Sequence, residues 1–376
     1  MDRCDFLDRL ATESNIIDVI KELKEDNLPI YIWGCGQVAE DIYYYLDRLN
    51  IEIVAAMVDK EYLSIWKEKK LCGKLEVFDK DSVRAHCKKF NVIVGHSRYE
   101  LGKAFAKEMP EINRMVYLPS VSYNQFEKTS REEINKNVDR YIELIDVLED
   151  EKSVNSLFAF LNTKITGDIS YILDVFERPM TFFDNDLFCA SENEVYMDIG
   201  AYDGDTIKIF LDASNGKYKK IIALEPDLKN YEKLSNFVKN NKMNDVVLTT
   251  KGAWNTSTVL KFYEGNEQIS SVVVDDRNII NNNNSVVKIE VGRLDEMFGN
   301  ENVTMMKINY LDGVIEALEG AKNIIIKERP KIVSTVGFNV TNILKIVEYL
   351  HSLKLDYKFY LRFNSAMTSR LVLYTI

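Results

Sequence analysis

The sequence predicts an α/β chain: a seven-stranded doubly wound sheet in its C-terminal half, a smaller parallel-sheet domain at its N-terminus, and a helical connector between them. Three observations carry this reading. Short apolar runs alternate with helical spacing over residues 29–95 and again over 194–376. The alternation lapses from about Ser130 to Phe176, where only helical spacing remains. Each alternating region also places a glycine-containing turn directly after its first strand, where open α/β sheets bind ligands.

The elements follow in order. Residues 1–25 carry Leu7, Leu10, Ile16, Ile17, Val19 and Ile20 among acids and lysines, a helical pattern. Pro29–Trp33, Ile51–Val58 and Asn91–Val94 are apolar runs of strand length, and Asp41–Leu49 between the first two has helical spacing. In 129–180, Val138, Tyr141, Ile142, Ile145 and Leu148 fall three and four apart, which predicts an amphipathic helix. The boundaries so drawn are 1–128, 129–180 and 181–376. In the last segment strands are expected at Glu194–Ile199, Lys220–Leu224, Val246–Thr250, Thr304–Ile308, Lys331–Val336, Asp356–Arg362 and Leu371–Ile376. Helices are expected at Asp227–Asn240, Gly313–Lys327 and Val340–Leu353, with a β-rich insertion at Val259–Val291 and a loop at Asn281–Asn284.

Composition narrows the function classes. Lys plus Arg number 48 against 59 Asp plus Glu, a net charge of −11 that speaks against a general nucleic-acid binder. No apolar run approaches the roughly 18–20 residues of a membrane span. The opening Met1-Asp2-Arg3-Cys4-Asp5 has no apolar stretch behind it, unlike a signal peptide. Cys4, Cys35, Cys72, Cys87 and Cys189 are scattered and odd in number, so neither a disulfide framework nor a zinc knuckle is signalled. His86, His96 and His351 are too few for a histidine-rich metal site. These features together describe a reduced, soluble, cytoplasmic protein.

The strongest motif is Asp198-Ile199-Gly200-Ala201-Tyr202-Asp203-Gly204-Asp205-Thr206, at the end of an apolar strand. Gly200 and Gly204 let the backbone turn and approach a ligand closely. The Gly-x-x-x-Gly spacing departs from the dinucleotide fingerprint and suits the amino-acid end of S-adenosylmethionine. Glu225, followed by Pro226, closes the next strand, where an acid can accept from both hydroxyls of a ribose. Lys251-Gly252-Ala253-Trp254 ends the third, where Gly252, Ala253 and Trp254 could flank an adenine.

A second, weaker motif is Gly34-Cys35-Gly36-Gln37-Val38-Ala39, with Asp59 closing the following strand. Gly34 and Gly36 could cradle a diphosphate at a helix N-terminus. The turn is similar to those of small Rossmann-like domains that bind nucleotide sugars; the alternative is a sheet kept for packing or dimerisation. Cys35 reads as a passive small residue, His96 as an ordinary strand-end residue, and Tyr43, Tyr44 and Tyr45 as core and rim.

Residues 180–376 resemble the FkbM family of S-adenosylmethionine-dependent methyltransferases. The likeness runs through Glu194–Thr206, Ala223-Leu224-Glu225-Pro226, Lys251–Trp254, Glu316–Ala321, Arg329-Pro330-Lys331-Ile332 and Tyr357–Arg362. Phe182-Phe183-Asp184 matches an aromatic-aromatic-aspartate segment ahead of the first strand, read either as a cofactor cover or as a hydrophobic plug. The resemblance implies a methyltransferase-type sheet and methyl transfer to a hydroxyl oxygen of a sugar, glycan or metabolite. It also marks departures. The family's Lys-x-Asp-x-Glu-Gly-Ala-Glu segment reads Lys307-Ile308-Asn309-Tyr310-Leu311-Asp312-Gly313-Val314, and a histidine after the fifth strand is replaced by Phe338. Lys307 and Asn309 are left as the acceptor-orienting candidates, and the pair Asn309 and Phe338 offers no metal site. An amide cannot act as a base, which keeps open a second reading: a methyltransferase-like module that holds S-adenosylmethionine or a nucleotide sugar without chemistry.

Overall fold

The computed structural model describes the whole chain except residues 12–15, 67, 97, 119–128, 177–181, 184–186, 264–270, 273–285, 310–312, 338 and 366–369. The Asn281–Asn284 loop, Asp184, Asp312 and Phe338 therefore lie outside the described residues. The chain forms two compact units. The first comprises Met1–Ile142 and Val154–Pro179 with a short piece near residue 365; the second comprises Glu143–Ser153, Met180–Asn364 and Ser369–Ile376.

The first unit holds five parallel strands: β1 (Ile30–Trp33), β2 (Ala55–Val58), β3 (Val77–Asp79), β4 (Phe90–Val94) and β5 (Ile112–Tyr117). Their order is β3-β2-β1-β4-β5, so the winding reverses between β1 and β4. The three expected strands are the central ones, buried at every position. The two unexpected strands are the edges, where β3 has three residues and β5 reads Ile-Asn-Arg-Met-Val-Tyr, too polar to stand out as a buried run. Residues 1–25 form two helices, Arg3–Asp8 and Ile16–Glu25. Asp2 starts the first by accepting the Asp5 N–H at 2.9 Å.

After β5 in sequence come the helices Thr129–Lys136, Val138–Val147, Glu151–Thr166 and Ser170–Val175. Of the expected stripe, Val138, Tyr141 and Ile145 are buried, while Ile142 and Leu148 are half-buried; Leu144 is buried beside them. Leu148 forms a parallel bridge with Phe359, and the Glu149 N–H donates to the Phe359 carbonyl at 3.1 Å. Arg362 closes on Asp150 and donates also to the Ser153 hydroxyl. Burial opposes ionisation of Asp150, yet Arg362 and Ser153 hold its carboxyl down at about 2.

The second unit begins its main sheet with β6 (Val195–Ile199), β7 (Lys220–Leu224) and β8 (Val246–Thr249). A small sheet follows: β9 (Gly252–Ala253), β10 (Thr258–Tyr263), β11 (Ser271–Val272) and β12 (Val286–Gly292), in the order β11-β10-β12-β9. The main sheet resumes with β13 (Met305–Ile308), β14 (Lys331–Thr335), β15 (Phe359–Phe363) and β16 (Leu371–Thr375). Its order is β15-β16-β14-β13-β6-β7-β8, with β16 antiparallel to both neighbours and the rest parallel. This is the seven-stranded doubly wound sheet that the sequence predicts. Gly252-Ala253 is not the end of the third strand, as its sequence position suggests, but a separate strand paired with β12.

The reversal of strand order falls between β6 and β13, so their C-terminal ends open the crevice where such sheets bind ligands. Every residue of β6 and β13 is buried, Asp198 and Lys307 included. The expected helix Gly313–Lys327 is divided into Val314–Gly320 and Lys322–Glu328. At the division Gly320 lies so close to the Trp254 carbonyl that no Cβ would fit.

Candidate active site

The loop after β6 is shaped by three left-handed residues: Gly200 at φ +79°, Tyr202 at +50° and Gly204 at +96°. Glycine takes that region at little cost, whereas Tyr202 is strained there. Gly204 precedes the helix Asp205–Ala213, and a Cβ on it would sit 2.7 Å from the Phe237 ring. The Gly200 and Ala201 N–H groups both donate to the Leu224 carbonyl at 3.0 Å, folding the loop toward the end of β7.

Glu225 meets it there. Its carboxylate accepts the Tyr202 N–H at 2.8 Å and the Asp227 N–H at 2.9 Å. The residue is 6 % exposed, and burial pushes its carboxyl up to about 7 against the pull of those two donors. Asp227 in turn caps the helix Leu228–Asn240, accepting from the Lys229 and Asn230 N–H groups. A carboxylate offers about four lone-pair sites. With two of Glu225's occupied by backbone, two are left for a vicinal diol. Pro226 is buried beside it.

Beneath the loop lies an ion pair. Lys307 donates to Asp198 at 2.8 Å, to the Gly200 carbonyl at 2.7 Å and to the Thr206 hydroxyl at 3.2 Å. The Thr206 hydroxyl donates to the other Asp198 oxygen at 2.8 Å. Asp198 is fully buried and turned into this network, so the acids on the outer side of the loop are Asp203 and Asp205; Asp205 accepts the Thr206 N–H at 2.7 Å. Lys307, expected to orient an acceptor, likewise has its donors directed into the loop.

Trp254 is bracketed by glycines. Its backbone N–H donates to the Gly292 carbonyl at 2.9 Å, and a Cβ on Gly313 (φ +102°) would lie 2.7 Å from its ring. Arg293 donates to the Asn255 carbonyl at 2.8 Å, and the Asn255 amide donates to Glu319 at 2.7 Å. None of these supports was legible in the sequence, since they pair residues 38 to 64 positions apart. Asn309 is half-buried just past β13, its N–H donating to the Ile199 carbonyl at 3.0 Å. Phe182 and Phe183 are both buried. Phe183 packs against Tyr196 and Phe210 with centroids 5.5 Å away, so this residue serves as a hydrophobic plug.

Residues 198–359 match the family model for the methyltransferase FkbM domain. This stretch is similar to an FkbM methyltransferase domain. The whole chain also shares its fold with the crystal structure of methyltransferase FkbM from Methylobacillus flagellatus KT. The TM-score is 0.70 at 18 % identity, covering 100 % of this chain and 98 % of that one. The Streptococcus mutans protein SMU.1697c, solved in complex with SAH, matches 53 % of this chain and 98 % of its own at 14 % identity and a TM-score of 0.34. A SAM-dependent methyltransferase from Aquifex aeolicus matches 55 % of this chain and 96 % of its own, at 9 % identity and a TM-score of 0.30. No curated protein matches the chain.

In the first unit, Gly34 and Gly36 lie at the end of β1, beside the reversal of strand order. Gly34 (φ +126°) donates its N–H to the Met57 carbonyl at 2.8 Å, and a Cβ there would meet the Gly95 carbonyl at 2.6 Å. Gly36 precedes the helix Gln37–Arg48, and a Cβ on it would meet nothing within 4 Å. Asp59 follows β2 and is half exposed, 3.8 Å from Lys80. Burial pushes the Cys35 thiol up to about 12, which makes it a poor nucleophile. His96 stands edge-on to Trp33 at 4.3 Å. Among the described residues no three His, Cys, Asp or Glu side chains are grouped to hold a metal ion, and no helix is long and apolar enough to cross a membrane.

Proposed function

We propose that the methyltransferase domain uses S-adenosylmethionine and transfers its methyl group to a hydroxyl oxygen, on a sugar of a glycan or metabolite. The observation that carries the reading is Glu225: a buried strand-end carboxylate, oriented by two backbone donors, with two lone pairs left to accept a ribose diol. The loop residues Gly200, Ala201, Tyr202, Gly204 and Asp205 would form the cradle, supported from beneath by Asp198 and Thr206, with Pro226, Gly252, Ala253 and Trp254 beside it. The donor set fits the group: acids at the loop, a diol acceptor just past β7, and an indole just past β9.

When bound, the sulfonium supplies an already activated methyl group. The chain's own task is then to bind, orient and exclude water, since alignment for in-line displacement accounts for much of the rate. Asn309 can donate and accept a hydrogen bond toward an acceptor but cannot take its proton. That amide also favours the second reading, a module that binds the cofactor without turning it over. Titration calorimetry with S-adenosylmethionine, followed by transfer of labelled methyl to a panel of sugars and glycolipids, separates the two. Binding with transfer supports the enzyme, and binding without transfer to any acceptor supports the module. A folded, ligand-free protein that gives no binding heat refutes both. For Gly34, Gly36 and Asp59 we propose a separate nucleotide-sugar site, supported by the place of the two glycines beside the β1–β4 reversal, with Asp59 at the end of the neighbouring β2. A self-associating chain is the companion proposal for this unit.

A further inference from the structure

We propose that Lys307 is a positioning residue for the glycine loop after β6, acting from beneath it, and not a ligand of the methyl acceptor. The inference rests on the reading of that loop as the cofactor cradle. Lys307 stands in register with Asp198 across the β13–β6 pair, and its side chain is 1 % exposed. An ammonium that deep must find partners. It has three hydrogens to donate, and the structure provides three acceptors: Asp198, the Gly200 carbonyl and the Thr206 hydroxyl. The Phe182 ring lies 5.6 Å from the same nitrogen.

The Gly200 carbonyl is the informative partner. It belongs to the same peptide unit as the Ala201 N–H, which donates to Leu224 on the opposite side. That peptide is therefore clamped at both ends, by β13 through Lys307 and by β7 through Leu224. The next N–H, of Tyr202, reaches Glu225. Thr206 extends the same clamp to the first turn of the helix Asp205–Ala213. Two left-handed residues, Gly200 and Tyr202, flank the clamped unit, and a loop of that shape persists only when its surroundings over-determine it. Charge adds a second effect. Beyond burial and the two backbone donors, two charges act on Glu225: Asp227, which disfavours its carboxylate, and Lys307, which favours it.

The test compares wild type with Lys307→Met, Lys307→Arg and Thr206→Val, reading two quantities: native-state hydrogen exchange at the Ala201 and Tyr202 amides, and S-adenosylhomocysteine affinity between pH 6 and 8. In Lys307→Met the two loop amides should exchange at least tenfold faster relative to those of β7. Affinity should fall tenfold or more, and the pH midpoint of binding should move upward. Lys307→Arg should recover part of each effect. Thr206→Val removes one arm of the clamp, should loosen the loop about threefold, and decides the matter if Lys307→Met does not fold. A folded variant with unchanged loop exchange and unchanged affinity overturns the proposal. If wild type fails to bind S-adenosylhomocysteine, the cofactor reading fails, and the exchange comparison still decides whether Lys307 positions the loop.

Discussion

The carboxyl of Glu225 sets a pH signature on both folding and binding. In the unliganded protein, burial raises it from its usual 4.5 to about 7. Between those values the folded state holds a proton that the unfolded chain releases, so stability falls as pH rises through the window and levels off above 7. At about 1.4 kcal/mol for each pH unit, this one group should lower unfolding free energy by about 3 kcal/mol between pH 4.5 and 7. Cofactor binding should show the opposite dependence, because a ribose diol donates its two hydrogen bonds to the carboxylate. Below pH 7 only the ionised fraction is competent, so apparent Kd should weaken about tenfold for each further unit of acidity. At pH 7 each binding event should release about half a proton. Calorimetry with S-adenosylhomocysteine in two buffers of different ionisation enthalpy measures that release directly. Glu225→Gln should bind more weakly and with no pH dependence over the same range. Identical binding enthalpies in both buffers at pH 7, together with a flat affinity from pH 6 to 8 in wild type, would refute the assignment of Glu225 as the diol acceptor.

Three other outcomes are expected. Gly204→Ala should destabilise the protein by about 1–3 kcal/mol in urea unfolding, since alanine is strained at φ +96° and its Cβ would press on the Phe237 ring; an unchanged midpoint contradicts the loop geometry. Gly36→Val should abolish any nucleotide-sugar binding while changing stability by about 1 kcal/mol or less, because a Cβ there meets nothing within 4 Å. It should leave S-adenosylmethionine binding intact, and a thermal-shift panel of nucleotide sugars with no response in wild type ends the case for that site. Methyl transfer should be indifferent to EDTA and to added magnesium or manganese, given a neutral amide at Asn309 and a phenyl at Phe338. Activity lost in EDTA and restored by metal would reassign the site to carboxylates such as Asp203 or Asp312.

Much of the fold was legible because its central strands are buried on both faces and read as nearly continuous apolar runs, as in β1, β2 and β7. Strands at the rim, such as β3 and β5, are partly solvated and carry polar residues, so pattern alone passed over them. Part of the candidate site was legible for a related reason: the loop after β6 and Glu225 sit at strand ends, which sequence can locate. What lies across the sheet was not. Asp198 and Lys307 are 109 positions apart, and only the β6–β13 register turns two charges in apolar strands into one buried pair. A signal did exist, since a charge inside an otherwise apolar strand needs a partner, but nothing in the sequence named which one. The two glycines that bracket Trp254 were hidden in the same way, each looking like an ordinary turn or helix residue.

The position of β16 has a consequence for how the second unit is made. It is the last strand of its sheet in sequence, yet it occupies an interior place between β14 and β15. Until residues 371–375 leave the ribosome, β15 has no strand to pair with, and the edge contact from Leu148 has no settled platform at Phe359. The unit therefore stays open at one side until β16 is made, with β14 presenting an unpaired edge. Such edges recruit other chains, so a stall or truncation just before Leu371 should yield an aggregating product, not a smaller working domain.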